Sequence, residues 1–563
     1  MSKGADLAKT STKAGFNYLW GLVISTVISS LGTIALTLLI DTEIYALYGL
    51  ALTVPTVITL FRDWGINHAI IRYTAQYRAE KREAEIRSIF IAGVAFEIAL
   101  GLILSIVSFL MADYIATTFY ARPEITILIQ IASFSILVNG VAVAATAVFT
   151  GTEKTTYNSV MLICQSTAKT LLIIGMVMAG FGTIGAVTGF TLSCVLVGLI
   201  GLVFIIHLYR KIPKNFTYKL ELKEYLKEML KYATPLSIST IITGFLAQAY
   251  VPIYGYFFKE ENTLLGNYFI ALNFVVLISF FAIPITNMLF PAFSKLDIKK
   301  DKTTLKNVFQ SSVKYFALIV VPVAAIVMCL ATPAVTTIYA NDKPSAPLFL
   351  ALLSISYLFS ATGNLSVSNI INSQGKTGLN LKFALITAAI GFPLGVLLIK
   401  YYGIFGLIAT SIFAPIPSLI LSLIWVKKHY ELTVDWVSSA KILLSAAITA
   451  IFTYLIVNYI PRLHTIHSIV NTILHAIHSI INTIYPPLST LISETTIMST
   501  IQLGIGTIFF IITFTGIIIL TKTLSIHDIN NLQNMTTNIG PITKIVHITL
   551  NTMEKIMKKL KLI

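Results

Sequence analysis

The chain has 563 residues, 56% of them hydrophobic and only 11% charged, with a mean hydropathy of +0.83, whereas a soluble domain carries about 25% charged residues. A soluble enzyme or binding domain is excluded, and the recurrence of long apolar runs points to many transmembrane helices. The formal charge of +16 would suit a nucleic-acid partner only if the basic residues gathered on soluble segments; they follow a membrane topology instead, and no nucleic acid is expected.

In chain order, fourteen spans are expected near residues 14–40, 44–61, 88–112, 125–150, 157–181, 184–208, 235–258, 264–290, 315–340, 346–371, 383–402, 404–426, 442–460 and 499–521. The first run follows Lys3, Lys9 and Lys13 and is too long for a signal-peptide core, so it reads as a retained span. With the amino terminus inside, all of the 40 Lys and Arg residues except Arg122, Lys169, Lys259, Lys343, Lys400 and Arg462 fall on cytoplasmic segments. That is the positive-inside bias, and it places both termini in the cytoplasm. Cys164, Cys194 and Cys329 lie inside spans without ligand spacing around them, so neither a disulfide framework nor a metal site is expected.

An internal repeat runs through this pattern. Residues 48–73 align with 268–293 at an offset of 220, matching Tyr48, Ala51, Leu52, Ile58, Phe61 and Asn67 with Tyr268, Ala271, Leu272, Ile278, Phe281 and Asn287. Lys154-Thr155 with Asn158 recurs as Lys376-Thr377 with Asn380, and Gly182 with Gly185 recurs as Gly403 with Gly406. An offset spanning six helices keeps both halves in one orientation, the arrangement of parallel-repeat transporters. The expected organisation is a six-helix lobe at 1–209, an amphipathic cytoplasmic linker at 210–232, a second six-helix lobe at 233–430, and two extra spans at 431–563.

The last region holds an external stretch in which an eleven-residue unit is repeated, placing His464, His467, His475 and His478 with Asn471 and Asn482 on one helical stripe. No carboxylate or thiolate joins the stripe, so an amphipathic surface helix is favoured over a metal site. The tail, with Ile545, Ile548, Met553, Ile556, Met557 and Leu560 among five lysines, is expected to be a second surface helix facing anionic lipid.

Candidate chemistry rests on polar groups at membrane depth, which are costly there and therefore functional by default. Gly375-Lys376-Thr377 resembles the end of a phosphate loop, but Ile370 replaces the first glycine, and no ATP site or other cofactor is expected. Any energy input would come from an ion gradient, the membrane potential or the substrate's own gradient, with a proton or sodium ion as the candidate coupling ion. Arg62, Asp63, Asn67 and Arg72 follow span 2. Either the helix continues past them, turning the charges into a wet space, or it ends at Phe61 and they are interface charges. Glu97 and Lys169 lie mid-span and either pair with each other or line a polar cavity. Gln248, Asn273, Asn287 and Asn369 supply neutral hydrogen-bonding groups in the second half. Such groups suit sugar hydroxyls, whereas guanidinium suits phosphate.

Tyr45-Ala-Leu-Tyr-Gly-Leu-Ala-Leu52, Phe61-Arg-Asp-Trp-Gly65 and Arg72 with Ala75, together with the Lys154 to Asn158 and paired-glycine motifs, resemble the polysaccharide-transport branch of the multidrug/oligosaccharidyl-lipid/polysaccharide (MOP) flippase superfamily. The resemblance covers roughly residues 14 to 430. It implies an all-α polytopic protein whose two pseudo-symmetric six-helix lobes form a V around a central cavity, moving a polyprenyl-linked glycan outward across the plasma membrane. Its partners would be that glycan, membrane lipids and glycan-assembly enzymes. It also places Arg62, Asp63 and Arg72 among the cavity charges; Ala247-Gln-Ala-Tyr250, without a charge, departs from the pattern. The alternatives are a cation-coupled drug exporter of the same superfamily and a membrane glycan polymerase or oligosaccharyl transferase. The transferase is disfavoured because Pro461 to Met498, the long external segment, has four His but a single carboxylate, Glu494. No catalytic residue is assigned, and the protein is not expected to be an enzyme.

Overall fold

The computed structural model describes residues 3–62, 64–80, 82–212, 222–294, 302–374, 376–462, 472, 493–536 and 542–559. The expected His-bearing stripe and Asp63 lie outside these residues, as does the middle of the 210–232 linker. Among the described residues the structure is helical throughout, without strands. In order the helices are α1 (Lys3–Leu39), α2 (Thr42–Thr59), α3 (Ile66–Ala79), α4 (Glu83–Tyr114), α5 (Thr126–Gly151), α6 (Thr155–Met176), α7 (Gly182–Lys211), α8 (Leu222–Phe257), α9 (Asn262–Ser294) and α10 (Lys302–Cys329). They continue with α11 (Ala331–Tyr339), α12 (Ala346–Ser354), α13 (Asn364–Ser373), α14 (Thr377–Phe413), α15 (Ile416–Tyr430), α16 (Trp436–Tyr459), α17 (Glu494–Leu520), α18 (Ile526–Thr536) and α19 (Ile542–Lys559).

Nine helical stretches among the described residues are long and apolar enough to cross a membrane, or ten if α12 and its following 3-10 turn form one span with α13, to which they are bent by 54°. The protein is thus a multi-pass membrane protein. Two of the nine stretches are 57 and 53 residues long, more than twice the roughly 20 residues a bilayer requires. Each folds back at a glycine: Gly182 (φ 52, ψ −133) and Gly403 (φ 57, ψ −129) share a conformation that is strained for residues with a Cβ. Past the first turn α7 runs back along α6, so closely that a Cβ on Gly189 would lie 2.7 Å from the Ile173 nitrogen. The two turns are 221 residues apart, and the repeat seen in the sequence is therefore also a repeat of backbone conformation.

The chain divides into two compact units, residues 1–273 with 376–418 and residues 274–375 with 419–563. In the first, α1 packs on α6, α4 on α5, α5 and α6 on α7, and α8 on α14. Here α2 meets the start of α9 in a specific way. Thr263 Oγ1 donates to Glu43 Oε1 at 3.0 Å, and a Cβ on Gly49 would lie 2.4 Å from the Phe269 ring. Both pairs are separated by 220 residues, so each residue touches its own repeat mate, as a local two-fold axis between the helices requires.

The apolar side of the linker's helical end, expected on the membrane surface, is turned inward. Tyr225 and Met229 are buried against Tyr77, Ile86 and Phe90 in a core shared by α3, α4 and α8. In the second unit α10 packs on α16, α11 and α16 pack on α17, and α18 packs on α19. The apolar side of α19 is also used internally. Leu550, Met553 and Met557 are buried with Phe510, Ile518 and Ile529, which leaves Lys555 and Lys559 outward.

Candidate functional site

The helix of span 2 does not continue past the charges. It stops at Thr59, and α3 restarts after Gly65, whose left-handed conformation (φ 73, ψ 11) breaks the helix. Only a glycine fits there, because a Cβ would lie 2.4 Å from Ser237 Oγ and 2.9 Å from the Ala233 oxygen of α8. Arg62 sits in the intervening turn, while Arg72 lies on α3. The two guanidinium groups therefore do not share one helix.

The turn sends Arg62 inward, where it is only 3% exposed. Its Nε lies 3.0 Å from Glu97 Oε2 on α4, an ion pair rather than an aligned hydrogen bond. Nη1 donates to the Ile136 carbonyl of α5 at 3.2 Å. Asn67, in the first turn of α3, donates through Nδ2 to Glu97 Oε1 at 3.2 Å. Glu97 is fully buried, and a charge at such depth persists only when paired and hydrogen-bonded. Gly140 makes room for the group: a Cβ there would lie 3.1 Å from the Glu97 carbonyl oxygen and 3.3 Å from Arg62 Cδ.

The structure thus brings together Arg62, Asn67 and Glu97 of the expected site residues. The pairing of Glu97 with Lys169 is not observed, because the break after α2 delivers Arg62 to Glu97 first. Lys169 is half-buried on α6 and makes no ion pair among the described residues. Arg72 is exposed, with its guanidinium carbon 5.6 Å from the Tyr73 ring centroid. Gln248 is half-buried on α8, and Asn273 donates to the Tyr45 hydroxyl at 2.8 Å. Asn369 is buried on α13 in the other unit, and its Nδ2 has no hydrogen-bond partner among the described residues. Asn287 lies on α9, with its side chain outside the described set.

Two contributors escaped the sequence reading, Gly140 and the Ile136 carbonyl; the signal for the first was a lone glycine beside Asn139 within an apolar span. A third is the surroundings of Phe61. Its side chain, with Ile241, Ile242, Phe245, Leu246, Ala388 and Phe392, lines an apolar cavity of about 350 Å³. Successive residues, Phe61 and Arg62, therefore enter an apolar cavity and a buried charge cluster.

Residues 35–343 match the family described as polysaccharide biosynthesis protein. An uncharacterised membrane protein of Methanocaldococcus jannaschii is 24% identical over 377 residues, 64% of this chain and 72% of that protein. Among solved structures, the lipid II flippase MurJ in an inward closed conformation aligns with a TM-score of 0.65 at 15% identity, covering 89% of this chain and 98% of MurJ. An inward-facing multidrug resistance MATE family transporter of the MOP superfamily aligns with a TM-score of 0.57 at 15% identity, covering 74% and 94%. At these identities the structural likenesses establish the fold, and the family match agrees with the resemblance carried by the sequence motifs. The chain belongs to the polysaccharide biosynthesis protein family and has the fold of the MOP flippases and transporters.

Proposed function

We propose that this protein is a flippase that moves a lipid-linked oligosaccharide or polysaccharide precursor from the cytoplasmic to the outer face of the cell membrane by alternating access. The observation that carries this reading is the junction at Phe61 and Arg62, where an apolar cavity abuts a buried guanidinium and carboxylate. An amphiphile with an isoprenoid tail and an anionic, hydroxyl-rich headgroup needs both environments side by side. Headgroup hydroxyls crossing hydrocarbon without partners would each cost several kcal/mol, so a polar path through the protein is required. The family description supports a glycan substrate. The greater share of the chain covered by the MurJ likeness, 89% against 74% for the MATE transporter, supports a flippase over a drug exporter.

In this reading Arg62 is neutralised by Glu97 until the substrate phosphate competes for it, and Arg72 and Lys169 are further cations for the headgroup. Gln248, Asn273, Asn287 and Asn369 would serve the sugar hydroxyls, Asp63 would temper the arginines, and a proton or sodium ion would drive the cycle. Both termini are placed in the cytoplasm. The test is a strain lacking this protein and any paralogue. Lipid-linked oligosaccharide should accumulate on the cytoplasmic face, and unchanged outward transfer would defeat the proposal.

A further inference from the structure

Arg122 was an exception to the charge asymmetry of the sequence, and the structure shows where it goes. It follows the π-helical turn Ile115–Phe119 and precedes Pro123, yet it is only 3% exposed. Nε donates to the Lys259 carbonyl at 2.9 Å, and Nη2 to the Lys259 and Phe258 carbonyls. These carbonyls lie one and two residues past the end of α8, where unpaired acceptors and the negative end of the helix dipole attract a cation. Around the contact, Phe119 packs on Tyr256 at 4.8 Å between centroids, and a Cβ on Gly255 would lie 2.9 Å from the Tyr120 ring. The loop beyond α8 is tied by Tyr254 to Glu261 and by Thr263 to Glu43.

The same corner occurs in the second repeat. Tyr120-Ala121-Arg122-Pro123 corresponds to Tyr339-Ala340-Asn341-Asp342-Lys343-Pro344, lengthened by two residues. Ala121 (φ 52) and Ala340 (φ 50) both hold a positive φ that is uncommon for residues with a Cβ. Tyr120, Tyr339, Arg122 and Lys343 are all buried. A strained alanine and a buried cation kept at matching places in both halves mark a constrained corner with a role beyond chain reversal.

We propose that Arg122 is the latch of the outer gate: its guanidinium fork ties the outer corner of the first repeat to the end of α8, the first membrane helix of the second, and releases it when the outer side opens. The partners suit a reversible contact. Neutral carbonyls bind a guanidinium less strongly than a buried carboxylate does, and water can replace them once the corner is wetted. The proposal rests on the alternating-access reading and its topology but not on the identity of the substrate, so it can be tested without one.

The experiment uses full-length protein in sealed vesicles, with Cys164, Cys194 and Cys329 replaced by Ala and a single cysteine at Asn267, a position 1% exposed on α9, one turn beyond Thr263. An impermeant maleimide is applied from outside. Arg122→Ala should raise the labelling rate at least severalfold, and Arg122→Lys, which keeps the charge but loses the fork, should give an intermediate rate. Should the alanine variant not fold, the lysine variant decides alone. An unchanged rate in folded protein overturns the latch. Raised labelling without glycan movement would uphold the latch and defeat the flippase reading.

Discussion

Glu97 holds Arg62 at 3.0 Å from a different helix, at a depth where neither is accessible to solvent. An ion pair so placed is a commitment of the fold as much as a feature of the site, because either partner alone would be a buried uncompensated charge. Glu97→Ala should therefore destabilise the protein by roughly 3–5 kcal/mol, while Glu97→Leu combined with Arg62→Met should recover most of that loss. Thermal unfolding of the single and double variants in detergent checks this. Equal destabilisation by the double and single variants would show that the pair is not the source.

Transport should respond differently from stability. The Arg62 fork reaches both Glu97 and the Ile136 carbonyl, a geometry an ammonium cannot reproduce. Arg62→Lys should thus impair outward transfer of lipid-linked glycan nearly as much as Arg62→Ala while retaining more stability. Flux per inserted molecule is the measurement, and full flux in both variants would remove Arg62 from the mechanism.

The repeated glycine turns should be intolerant of side chains. Gly182→Ala and Gly403→Ala each place a Cβ where φ is positive and ψ strongly negative, at a cost of about 1–3 kcal/mol. Gly406→Ala should be worse than either, because its Cβ would strike the backbone at Leu398. Yield and melting temperature of the three variants should follow that order.

The carboxy-terminal helices should detach in acid. Lys314 Nζ donates to Asp528 Oδ2 at 2.6 Å, and the Ser525 nitrogen and hydroxyl donate to the same oxygen at 2.9 and 2.7 Å. Burial by itself would raise the Asp528 carboxyl, but these partners outweigh it and hold its pKa below the ordinary carboxylate value. A depressed folded-state pKa contributes stability that is complete above the unfolded value, about 3.9, and is lost as pH falls below it. Protection of α18 from hydrogen exchange should accordingly persist at pH 5 and fail only in stronger acid. Asp528→Asn should show the loosened state already at pH 7.

Topology is checked with cysteines at two exposed positions, Asp342 and Lys555. The first should label from outside and the second only after permeabilisation; labelling of both from one side would reject the orientation.

Much of the architecture was legible because its causes are local or repeated. Apolar runs mark membrane helices, and Gly182 and Gly403 stood out as a matched pair that the structure gives one conformation. The site was only partly legible. Arg62, Asn67 and Glu97 could be singled out by the cost of polar groups in hydrocarbon, but their partnership depends on how α3, α4 and α5 cross, which no local pattern encodes. The helix break was equally hidden, because the requirement for Gly65 comes from α8, more than 160 residues away. Amphipathic stripes at Tyr225 and Met553 correctly signalled one-sided helices. They could not say whether the apolar side would meet lipid or protein, since both are equally greasy partners.

The contact between Thr263 and Glu43 bears on how such a chain could arise. A residue touching its own repeat mate is what a symmetric pair of half-length chains would make, and identical chains would have to set Glu against Glu or Thr against Thr at that point. Two facing glutamates repel, and two threonines have no charge to offer. Joined in one polypeptide, the copies are free to drift apart, and here one has become the acceptor and the other the donor. Covalent fusion gives the axis a complementarity that symmetry alone forbids.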